Sequence, residues 1–99
     1  MGTRFRVWVC PLRPILTSIR VADLAKANWL QAELAGRIWS LCSVGNVRER
    51  PDLTTHPNCP CYSFTVLHNG SFSYLELLDV LDGISEIEAK LVENSYKPE

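Results

Sequence analysis

The sequence predicts an α+β domain in which two helices pack on one face of a small sheet of two to three strands, in the order β-(β)-α-loop-β-α. Three observations predict it. Apolar and polar residues alternate over residues 4–10, with Phe5, Val7 and Val9 on one side and the arginines with Trp8 on the other. A proline-free segment rich in Ala and Leu covers residues 24–42. Ser73-Tyr74-Leu75-Glu76 carries the residues of a capping box, ahead of apolar residues at helical spacing. The 99 residues, 46% of them hydrophobic and 21% charged, make one domain over 1–99 with a single core and too little chain for a large enclosed active site.

Residues 4–10 read as a half-buried strand, stopped by Pro11-Leu12-Arg13-Pro14 because neither proline donates to a ladder. Residues 15–21 alternate again, aligning Ile15, Thr17, Ile19 and Val21; a second strand is the preferred reading and a helix beginning at Ser18 its rival. Without that strand, pairing with a second copy of the chain, a homodimer, completes a sheet that is otherwise marginal. Asp23 is placed as the N-cap of a helix over 24–42, and Gly45 as its stop. Leu24, Ala27, Leu34, Ile38 and Leu41 fall along one side of that helix, with Ala25, Trp29, Ala32 and Trp39 beside them. A stripe this wide predicts burial on more than one side.

Residues 46–60 hold three prolines and no periodicity, and read as a long irregular loop. Residues 61–68 read as a strand, and Asn69-Gly70 as a turn. Ser73 then caps a final helix, with Phe72 and Leu77 placed as a hydrophobic staple. Its stripe of Leu77, Val80 or Leu81, Ile84, Ile87 and Leu91 predicts a helix to about residue 93, across Gly83 at a cost of ~1 kcal/mol. Residues 95–99 read as a frayed tail.

The net charge of −1 conceals a division. Residues 1–50 carry eight Lys/Arg against three Asp/Glu, a balance of +5; residues 51–99 carry two against eight, a balance of −6. Such a field governs which partners approach, not which fold forms. The longest uncharged run, 53–75, is broken by two prolines and two histidines and cannot span a bilayer. With no targeting segment in view, the expectation is an intracellular, cytoplasmic protein with no membrane association, whose four cysteines are thiols or metal ligands. The five glycines stand apart from one another, which excludes a phosphate-cradling glycine loop.

The leading functional expectation is a protein-interaction module or inhibitor without enzymatic activity and without a cofactor. Glu76, Asp79, Asp82, Glu86 and Glu93 recur at three- and four-residue steps along the final helix, with few lysines between them. That one-sidedness fits a basic surface on a larger, nucleic-acid-handling partner, with Tyr74 and an exposed tryptophan as anchors. Compact acidic inhibitors from phages and mobile elements follow this design, an analogy of charge and size rather than of sequence. The alternative is a zinc-stapled nucleic-acid-binding module. His56, Cys59 and Cys61 supply three soft ligands, with Cys10, Cys42 or His68 as a fourth. Arg4, Arg6, Trp8, Arg48 and Arg50 then supply phosphate grips and a stacking surface. The net charge places direct nucleic-acid binding behind a protein partner. A third reading is a thiol enzyme at Cys59 or Cys61, with His56 as base.

Overall fold

The computed structural model describes residues 4–52 and 61–92, which form one α+β unit. The described elements run β1 (Phe5–Arg13), β2 (Leu16–Val21), α1 (Leu24–Ile38), β3 (Cys42–Val44), β4 (Arg48–Glu49), β5 (Tyr62–His68), α2 (Tyr74–Asp82) and β6 (Ile87–Leu91). The sheet has six strands in the order β3-β5-β2-β1-β6, with β4 also on β5. This corrects the expected sheet of two to three strands. All pairings are antiparallel except β1 with β6, which is parallel.

Residues 15–21 form a strand, β2, rather than a helix start. β1 does not stop at Pro11 but continues to Arg13, with an irregularity in its pairing between those residues. The geometry explains the tolerance. The Val9 carbonyl accepts the Val92 N–H at 2.8 Å on the β6 side. Pro11, two residues on, turns its backbone to that same side, where β6 has ended, so its missing N–H breaks no ladder bond.

Alternation along the strands puts Val7, Val9, Ile19, Val21, Phe64 and Val66 on one face. They form a single core with Ala27, Leu30, Leu34 and Ile38 of α1 and Leu77 and Leu81 of α2. Both helices therefore lie on the same face of the sheet; no described helix covers the other face, although Cys10, Ser18 and Ser63 on it are buried. The Asp23 cap forms as expected, Oδ2 accepting the Lys26 N–H at 2.9 Å. The broad burial expected of the first helix does not occur. Its core stripe is narrow, and Leu24, Trp29, Trp39 and Leu41 are exposed, Trp39 by 76%. The helix stops at Ile38, four residues before the expected end, with a turn in which Leu41 N–H bonds to the Ile38 carbonyl.

The capping box at Ser73 forms, with Glu76 accepting the Ser73 N–H at 2.6 Å. The staple residues Phe72 and Leu77 are both buried. The helix nevertheless ends at Asp82, not near 93, with Gly83 as its C-cap. Two successive turns follow, and the chain enters β6, where Ile87 and Ala89 face the core side while Glu88 and Lys90 face away. Within the expected loop over 46–60, Arg48–Glu49 forms the short strand β4; residues 53–60 lie outside the described residues, as do Glu93 and the expected tail at 95–99.

Candidate functional site

The sheet register builds a row across the face opposite the helices. Residues paired directly on neighbouring strands share a face. Trp8 is paired with Lys90 on one side and Arg20 on the other. Arg20 is paired in turn with Ser63, and Ser63 with Arg48. Lys90, Trp8, Arg20, Ser63 and Arg48 thus run perpendicular to the strands over five consecutive positions. At a strand spacing of about 4.8 Å, Lys90 and Arg20 stand about 10 Å apart at the backbone, and so do Arg20 and Arg48. Lys90 and Arg48 are exposed, Trp8 and Arg20 are half-buried, and Ser63 is buried.

The cations of this row are only partly offset among the described residues: the charge of Arg20 is felt by Asp52. Among the described residues Arg20, Arg48 and Lys90 make no ion pair. The Arg20 Nε is shielded from solvent and has no hydrogen-bond partner among the described residues, an unusual state for a guanidinium N–H. Two flanking arginines are neutralised. Arg6 contacts Glu88 at 3.4 Å, an exposed pair of small energetic weight. Arg50 holds Asp52 in a fork, at 3.0 Å from Nε and 2.7 Å from the terminal nitrogen, and this hydrogen bonding keeps the Asp52 carboxyl below its ordinary pKa.

Beside Arg48 the face dips into a hollow of about 140 Å³, lined by Asn46, Arg48, Arg50, Ser63 and Thr65 among others. Gly45 makes this possible. Its N–H bonds to the Thr65 carbonyl at 2.8 Å, and a Cβ there would meet Thr65 Oγ1 at 3.1 Å. Gln31 of α1 holds the Gly45 carbonyl at 3.1 Å, fixing the point where the chain passes from β3 to β4.

Of the residues expected to bind nucleic acid, Trp8 and Arg48 fall in the row, Arg6 lies two residues from Trp8 on the same face, and Arg50 borders the hollow; Arg4 is exposed just before β1. Arg20 and Lys90 complete the row and were not expected. Arg20 was legible in the alternation of residues 15–21, which sends it outward. Lys90 was hidden by the assignment of its segment to a helix.

The acidic set fares differently. Tyr74, Glu76, Asp79 and Asp82 lie on α2, Glu86 lies in the turn before β6, and Glu93 is outside the described residues. The single helix expected to carry these acids over 76–93, with gaps at Gly83 and Lys90, ends at Asp82, so Glu86 lies outside it. Glu76 is engaged in its own helix cap, and Glu86 accepts from the Ser85 hydroxyl at 3.4 Å.

His56 and Cys59 of the expected zinc site lie outside the described residues. Cys61 is fully buried just before β5, and burial pushes its thiol pKa up. Among the described residues no three His, Cys, Asp or Glu side chains are grouped to hold a metal. Cys42 and His68 do meet, on the core side. The Cys42 Sγ is 3.8 Å from His68 Nδ1, and Thr17 Oγ1 is 2.7 Å from Nε2. Burial raises the Cys42 pKa, partly offset by the Asn69 backbone N–H, and lowers that of His68. A neutral thiol beside a neutral imidazole in a closed site is a structural polar cluster, not an activated nucleophile.

No described helix is long and apolar enough to cross a membrane. The sequence matches no family model, and no curated protein or solved structure matches it.

Proposed function

We propose that the protein is a non-enzymatic binding domain that holds single-stranded nucleic acid on the face of its sheet opposite the helices. The observation that carries this reading is the row Lys90-Trp8-Arg20-Ser63-Arg48, in which three cations without an ion pair among the described residues alternate with an aromatic ring and a buried serine. A sheet face with cations about 10 Å apart can follow a phosphate backbone, and the half-buried Trp8 among them is a residue type on which bases stack. The net charge of −1 is no obstacle, because the binding field is local and the acidic α2 lies on the opposite side of the sheet. The acidic-surface reading has less support, since its helix is cut to Tyr74–Asp82.

Three phosphate contacts give a salt slope of about −2 for a single strand, so affinity should fall roughly 20-fold between 50 and 200 mM salt. Fluorescence anisotropy with a labelled twenty-nucleotide strand measures this directly. The Arg20→Ala/Arg48→Ala/Lys90→Ala variant, checked for folding by circular dichroism, should lose nearly all of that slope. Equal binding by the variant and the native chain would sink the proposal.

A further inference from the structure

We propose that a cavity beside the cationic row is a pocket for one unpaired base, which makes the protein selective for single strands over duplexes. This inference rests on the reading of the sheet face given above. The cavity, of about 220 Å³, lies where β2 leaves the sheet for α1 and is lined by Phe5, Arg6, Trp8, Val21, Ala22, Asp23 and Lys26. Pockets for drug-sized ligands run to about 300–1,000 Å³, so this one suits a single ring system rather than a whole nucleotide.

Its chemistry separates base from phosphate. Phe5, Trp8 and Val21 give apolar walls, and Phe5 is held edge-on by Trp29, with ring centroids 6.1 Å apart. Asp23, fixed by its bond to the Lys26 N–H, places a carboxylate at the rim that disfavours a phosphate inside. Two cationic residues line the cavity, Lys26 and Arg6, the latter in contact with Glu88. Lys26 Nζ lies 5.6 Å from the Phe5 ring centroid, and Arg6 adjoins Trp8, which belongs to both the pocket and the row. A neutral planar ring therefore enters the cavity while its charged backbone stays on Arg20 and Lys90. A base held in a duplex cannot make that entry without leaving its stack.

The test compares three probes of equal length by anisotropy: a mixed-sequence single strand (as DNA and as RNA), a deoxyribose-phosphate strand without bases, and a duplex. The intact single strand should bind about tenfold more tightly than the abasic strand and the duplex. Ala22→Phe, which fills the cavity, should reduce the intact strand to abasic affinity while preserving the salt slope. As a measurement needing no variant, an uncharged nucleoside should shift the NMR signals of Phe5, Val21 and Lys26 in the native protein. Equal affinity for intact and abasic strands, with a steep salt slope for both, overturns the pocket and leaves the cationic row standing. Absence of binding to every probe overturns both.

Discussion

Replacing His68 with Phe isolates what one buried imidazole does to stability below neutral pH. His68 is 7% exposed, bonded to Thr17 at 2.7 Å and adjacent to Cys42, in a site where burial lowers its pKa from the ordinary 6.5. The folded pKa thus lies below that of the unfolded chain, so the unfolded chain takes up the proton first. Stability is complete above about pH 6.5 and declines as the pH falls below it, by up to ~1.4 kcal/mol per pH unit until folded His68 itself protonates. Cys42, the other titratable neighbour, has a thiol pKa raised above 9.0 and stays neutral throughout. Urea denaturation of both proteins at pH 7.5, 6.5 and 5.5 measures the effect, and the difference between them cancels every carboxylate and His56. From pH 7.5 to 5.5 the native protein should lose up to ~1.4 kcal/mol relative to His68→Phe. The substitution also leaves the Thr17 hydroxyl unpaired at about 1–3 kcal/mol, which displaces the curve without changing its slope. Parallel curves for the two proteins would refute the reasoning.

Gly70 has a φ of +65° with open space around its missing Cβ, so Gly70→Ala introduces backbone strain alone. It should cost about 1 kcal/mol and lower the Tm by about 4–8 °C in a calorimetric scan; an unchanged Tm contradicts the strain argument. Cys42 and Cys61 should resist iodoacetamide at pH 7.5 and react fully in urea, as read by peptide mass spectrometry, because burial raises both thiol pKa values. Rapid labelling of Cys61 in the folded protein would restore the thiol-enzyme reading.

Where local pattern and tertiary environment agreed, the sequence was readable. The alternation in β1, β2 and β5, the Asp23 cap and the Ser73 capping box all reappear in the structure. Residues 83–91 were misread because Ile84, Ile87 and Leu91 satisfy a helical period while Ile87, Ala89 and Leu91 satisfy a strand period of two. The decision is made by β1, which pairs Phe5 with Ile87 and Val7 with Ala89, a partner no local window contains. β3 and β4, of three and two residues, are too short to show any period. The site followed the same rule. Trp8 and Arg48 were legible as residues of the right chemistry, but their alignment with Arg20 and Lys90 exists only in the sheet register.

The parallel pairing of β6 with β1 has a kinetic consequence. Arg6 and Glu88, which meet across it, are 82 positions apart, whereas β1 and β2 meet through a tight hairpin. Closing so long a loop is entropically slow, which places the seating of β6 late in folding. Until it seats, the edge of β1 at Phe5, Val7 and Val9 is an unpaired, apolar strand, open to the same edge of another molecule. Concentration during refolding, rather than temperature, should then decide how much of the protein aggregates.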